Sequence, residues 1–254
     1  MGGCTNKELL SQIFSVPFPF FVITGVSLPL FGLIICFVIS VYMNFGEVTE
    51  SVCGVSNFVP SISAVTGITP QIYFWRYMIG LHSAPRLLLA LIYLRYHMAF
   101  HKLFNLPLRF KILVQTAFFV NLMDVIAFVG VAFISNRENY PVHERLFIVF
   151  LFASTAYMIV TLVLHWIIGM TTYDPRFKHS FNIKSLFFGL NVSLILLLLR
   201  QFYNHRFNCK ANAFSWFSAS EYGIAIANMG FHLTAAYDFQ DLILTTDTSG
   251  PCSE

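Results

Sequence analysis

Six apolar stretches follow one another along the chain, at about Phe18 to Tyr42, Ile72 to Tyr96, Ile112 to Ile134, Leu146 to Ile168, Leu186 to Phe202 and Phe214 to Tyr237. A hydrocarbon core about 30 Å thick takes roughly 20 helical residues to cross. It holds no water, so every backbone N–H and C=O crossing it must find a partner within the protein. Runs of this length meet that demand as helices. The predicted fold is therefore an all-α polytopic membrane protein, a bundle of about six transmembrane helices with both termini cytosolic. Composition agrees, with 57% hydrophobic and only 11% charged residues in a chain of 254, against about 25% charged in soluble domains.

One transmembrane domain spanning 1–254 is expected, with an N-terminal tail 1–17, a lumenal loop 44–71 and an acidic cytosolic tail 240–254. The first run is too long for a signal-peptide core and no small-residue cleavage site follows it, so it is expected to remain as a span. The N-terminal hexapeptide has Asn6 where a myristoylation signal needs Ser or Thr. Both tails are expected to be loose. Lys and Arg favour the cytosolic side only weakly, but the connection from Asn44 to Thr69 has neither residue, as a translocated loop should. In that orientation Lys184 counts among the cytosolic loop charges. Cys53 and Cys209 fall in translocated loops, which permits a disulfide in a secretory compartment.

A net charge of +3, dispersed along the chain, argues against a nucleic-acid partner. No Gly-x-Ser-x-Gly elbow, Walker loop or His-Glu-x-x-His helix is present, and neither a metal site nor a cofactor is predicted. His232 and Asp238 have five residues between them rather than four, which puts them on different helix faces and excludes a His-x4-Asp acyltransferase box.

The polar residues inside the runs carry the functional signal. The segment Gln71 to Arg86 places Arg76, His82 and Arg86 in a span, interrupted by Pro85. A charge near mid-membrane costs roughly 3 kcal/mol on insertion scales, so it is paired or faces protein or a wet cavity. At about 100° per residue Arg76, His82, Ser83 and Arg86 share one face. Pro85 cannot donate a hydrogen bond to the Leu81 carbonyl, which is expected to leave a free acceptor beside His82. At 1.5 Å per residue, His82, Asp124 and Glu221 fall at similar depths. Glu221, Ala225, Asn228 and His232 share a face of the sixth run, as do His143, Phe147, Ser154, Thr161 and His165 on the fourth. Interhelical hydrogen bonding is the first reading for Ser154, Thr161, His165 and Asn228.

The stretch Cys53 to Ser63, Pro70-Gln71, Trp75-Arg76, Ile79 to Arg86, Val142-His143-Glu144, Phe147 to Phe150, Cys209, Glu221-Tyr222, Asn228-Met229, Phe231-His232 and Asp238-Phe239 together resemble the Frag/DRAM/Sfk family of membrane proteins. Within it the likeness is to the branch acting after anchors are attached to proteins. Asp124 departs from the family's Glu, and Ala236-Tyr237 from paired Trp. The resemblance implies a multi-pass protein of the Golgi, with the endoplasmic reticulum as the alternative. It implies a role in glycosylphosphatidylinositol (GPI) lipid remodelling, where a saturated acyl chain is put onto the sn-2 position of a lyso intermediate. Its implied partners are membrane lipids, GPI-anchored proteins as lyso-GPI substrates, and other remodelling enzymes; the acyl donor stays open. On this reading His82 is the candidate base, with Asp124 or Glu221 orienting it, and Arg76 or Arg86 holds the phosphate. His143, Glu144, Asn228 and His232 complete the substrate-binding candidates. The competing expectation is a non-enzymatic protein that binds or presents lipid to a separate acyltransferase.

Overall fold

The computed structural model describes residues 12–172 and 175–247. The elements run β1 Gln12–Pro17, α1 Phe18–Val48, α2 Ile62–Thr66, α3 Gln71–Leu103, α4 Leu108–Phe133, α5 Tyr140–Thr172, α6 Pro175–Asn208, α7 Ala213–Leu233, α8 Ala235–Asp238 and β2 Ile243–Asp247. Five helices, α1 and α3 to α6, are long and apolar enough to cross a membrane. The sixth long helix, α7, is 21 residues and carries Glu221, Asn228 and His232 among its buried residues. Its polarity belongs to its inner face. Outward, residues such as Phe31, Leu91, Phe152 and Trp166 are exposed, as a lipid-facing surface requires.

Most helices outrun the apolar stretches that announced them. Backbone hydrogen bonding does not end where side chains become polar, so α3 reaches 33 residues and α6 reaches 34. The fifth span, expected from Leu186, begins at Pro175, where a missing N–H costs nothing at a helix start. Lys184 is consequently not a loop charge: it lies inside α6 and is 1% exposed.

The expected loose tails need correction as well. β1 and β2 pair antiparallel, with Ser15 opposite Thr245 and Val16 opposite Leu244, and the Phe18 N–H donates to the Leu242 carbonyl at 2.9 Å. A lone strand pair is marginal in water, and this one continues into a packed cluster. Phe239 sits edge-on to Phe18, Tyr93 and Tyr96, with centroids 5.6, 4.8 and 5.4 Å away. The outermost parts of both tails, residues 1–11 and 248–254, lie outside the described residues. Strand pairing brings residues 12–17 and 243–247 to the same end of the bundle.

At the opposite end Cys53 and Cys209 form a disulfide, Cα atoms 5.5 Å apart. The loop before α2 is tied to the start of α7 by more than this bond. Ser56 donates to the Asn212 side chain at 2.9 Å, the Phe58 N–H donates to Ser215 Oγ at 2.9 Å, and the Tyr222 hydroxyl donates to the Pro60 carbonyl at 3.2 Å. Cys53→Ser or Cys209→Ser is expected to cost about 2 to 5 kcal/mol. Each should abolish the mobility shift that the wild-type protein shows on reduction. Free thiols at both positions in unreduced protein would contradict the link.

The helices approach closely where side chains are small. A Cβ on Gly25 would lie 2.9 Å from the Pro85 ring, so glycine is what lets α1 meet α3 at the proline. On α7, Gly230 receives the ring of Phe187 from α6, and any side chain there would overlap it. Lipid tails are as apolar as leucine, so such packing and interhelical hydrogen bonds hold the bundle together.

Candidate functional site

Between α1, α3, α4, α5 and α7 lies a cavity enclosing, with its mouth, about 890 Å³ of empty space. Val26, Leu33, Phe128, Phe147, Phe150 and Met229 supply much of its apolar wall. Into it come six of the polar residues singled out from sequence: His82, Arg86, His143, Glu221, Asn228 and His232.

His82 is held by the partner helix. Its Nδ1 lies 2.7 Å from the Gly25 carbonyl. That carbonyl is free to accept because its helical donor would be residue 29, which is Pro29 inside α1. A carbonyl can only accept, so Nδ1 carries the proton and Nε2 presents a lone pair. The freed acceptor expected at Leu81 is therefore not the one His82 uses. Helical side chains lean toward the N-terminus, away from the direction of the carbonyls, so His82 turns from Leu81 toward α1. The ring also rests edge-on against Phe128, centroids 5.8 Å apart.

Neither expected carboxylate hydrogen-bonds to His82. Asp124 is fully buried behind the cavity wall and takes the Arg86 guanidinium at 2.6 Å. Asn121 accepts from the same Arg86 nitrogen at 3.4 Å. His232 approaches Asp124 with its Nε2 at 3.9 Å, and its ring stacks on Tyr157, planes 6° apart. Arg86 Nε, Asp124 Oδ1 and His232 Nε2 are buried without a hydrogen-bond partner among the described residues. Glu221 Oε2 accepts from the Ile62 N–H at 3.1 Å. Asn228 donates to Ser154 at 2.6 Å, an interhelical hydrogen bond between two of the residues read that way from sequence. His143 Nδ1 meets the Ile134 carbonyl at 2.7 Å.

Two substrate-binding candidates stand elsewhere. Arg76 pairs with Glu138 and donates to the Phe133 carbonyl at 2.7 Å. The Arg76 bond, with the Ser135 N–H and hydroxyl, holds the Glu138 carboxyl down at about 2. A depressed carboxylate contributes stability above its unfolded pKa and loses it as pH falls toward the folded one, so this loop contact survives any mildly acidic compartment. Glu144 accepts from Tyr140, one turn back on α5, at 3.3 Å.

A second polar centre, near the strand pair, was not visible as a unit in the sequence. Asp238 of α8 receives Lys184 at 2.6 Å, the Tyr93 hydroxyl at 2.5 Å, His165 Nε2 at 3.1 Å and the Ser180 hydroxyl. Ser180 and Lys184 stand one turn apart on α6, the single local signal that could have joined them. His165 thus serves Asp238, and His232 serves the other centre.

Residues 17–242 match the family described as the Frag1/DRAM/Sfk1/Cwh43P N-terminal domain. The chain is 41% identical over 217 residues to "Post-GPI attachment to proteins factor 2-like" of Drosophila melanogaster, covering 84% of this chain and 66% of that protein. It is 35% identical over 237 residues to "Acyltransferase PGAP2" of Xenopus tropicalis, covering 90% of each. It is also 32% identical over 249 residues to "Post-GPI attachment to proteins factor 2" of Caenorhabditis elegans, covering 94% of this chain and 92% of that one. No solved structure matches. Since the match takes in all six long helices and the polar residues of the cavity, the chain belongs to the Frag1/DRAM/Sfk1/Cwh43P N-terminal domain family.

Proposed function

We propose that this chain works in GPI-anchor maturation and itself transfers a saturated acyl group to the sn-2 hydroxyl of a lyso-GPI. The names of its relatives support the pathway. The observation that supports the chemistry is His82, whose ring is fixed through Nδ1 and whose Nε2 is left as a base in a largely apolar cavity. His82 Nε2 takes the proton of the lipid hydroxyl as that oxygen attacks the acyl carbonyl carbon. The new ester bond forms, the bond to the donor's leaving group breaks, and His82 returns the proton to that group.

Arg86 sits four residues beyond His82, about 6 Å along the helix, so the two address neighbouring groups of one lipid. With Asp124 fixing one terminal nitrogen, the other guanidinium N–H groups of this cavity-lining arginine remain to donate to the phosphate. The apolar wall takes the acyl chain. The acyl donor is the one co-reactant, and no cofactor is needed. Membrane lipids and lyso-GPI on anchored proteins are the partners, supplied by an upstream remodelling enzyme that removes the sn-2 chain, and the site of action is the Golgi membrane.

Purified protein in vesicles, given lyso-GPI and either acyl-CoA or a diacyl phospholipid, should yield the diacyl product by mass spectrometry. Binding without turnover would replace catalysis by lipid presentation to a separate acyltransferase. The proposal also places the disulfide end in the lumen and both termini in the cytosol. Terminal tags on sealed microsomes should then both be removed by added protease, and two protected tags would invert the orientation.

A further inference from the structure

Glu221 has no place in the acyl-transfer steps above, yet it is buried to 8% exposure in the cavity wall. One oxygen accepts the Ile62 N–H, while the other has no donor among the described residues and no ion pair reaches the carboxylate. The cavity's own arginine is committed to Asp124, and Arg76 to Glu138. A desolvated carboxylate with a single hydrogen bond is costly unless it takes up a proton or a cation meets it. The remaining open direction is the cavity.

We infer that Glu221 is the docking point for a protonated amine on the headgroup of the lipid acceptor. The inference takes from the proposed function only that a lysophospholipid headgroup occupies the cavity. An ammonium offers three donors and a full charge, which suits a carboxylate with a free oxygen. The spacing narrows the class further. Glu221 and His232 are eleven residues apart on α7, about 16 Å along its axis. His232 stands beside Asp124 and hence at the level of Arg86. The two positions are thus offset along the bundle, and an amine carried on a sugar beyond the phosphate extends further from Arg86 than an ethanolamine head does. The disulfide-tied loop delivers the Ile62 N–H, so the covalent link sets the geometry of this contact as well.

The test compares full-length protein in nanodiscs binding glucosaminyl-lysophosphatidylinositol and its N-acetylated counterpart, which lacks the charge. Wild type should bind the free amine about tenfold or more tightly. In Glu221→Gln, neutral and isosteric, that ratio should fall close to one with the thermal midpoint kept. Equal affinities in wild type, or a ratio unchanged in Glu221→Gln, overturn the amine contact alone. Failure of wild type to bind either lipid overturns it together with the proposed function.

Discussion

His82→Ala should lower acyl transfer by about a hundredfold to ten-thousandfold, the range a positioned general base contributes. The loss should fall on turnover, since the apolar wall and Arg86 still hold the lipid. Stability should drop modestly, by about 1 to 3 kcal/mol, because the Gly25 carbonyl is left buried without a donor. His82→Gln separates these effects: its amide can still donate toward Gly25, yet it cannot take a proton at neutral pH. It should therefore recover stability without activity. Pro29→Ala offers a further check, because a restored N–H at residue 29 competes with His82 for the same carbonyl and should loosen the ring. The measurements are product formation in vesicles and recovery of surface GPI-anchored proteins in cells lacking the protein. Wild-type recovery by His82→Ala would make this histidine structural.

Asp238→Ala is expected to be the most destabilising single change, costing about 3 to 5 kcal/mol. It strips four side chains of their acceptor and leaves the Lys184 ammonium, 1% exposed, without a counter-charge. Phe239 and then β2 follow Asp238, so the damage should appear as proteolytic sensitivity of the C-terminal segment before the bundle itself melts. A buried ion pair replaced by apolar residues of similar volume is often neutral or stabilising. Asp238→Leu with Lys184→Met should accordingly regain much of the lost stability, while Lys184→Met alone leaves the carboxylate stranded. Thermal unfolding in detergent and limited proteolysis report both effects. If Asp238→Ala melts within a degree of wild type, the four contacts are not holding the segment.

The hydropathy of the chain alone determined that it folds as an all-α membrane bundle, because water-free surroundings accept few backbone conformations and a run's length is a local property. Helical periodicity likewise brought His82 and Arg86 to one face, and Glu221, Asn228 and His232 to another; the structure turns both toward one cavity. Pairing depended on what periodicity does not contain. Two prolines each free a carbonyl, and only the crossing of α1 on α3 at Gly25 decided that His82 meets the one released by Pro29. Asp124 and Glu221 had similar estimated depths, but α7 sets Glu221 about 16 Å along its axis from His232, the neighbour of Asp124. Asp124 therefore meets Arg86, and Glu221 meets the backbone of Ile62. Lys184 and Asp238 are 54 positions apart, one read as a loop charge and the other lying just past the sixth apolar run. Their union required α6 to extend beyond its apolar run and the tail to fold back. Ion pairs between distant segments are chosen by tertiary packing, since many partners satisfy a charge equally well until the bundle leaves one within reach.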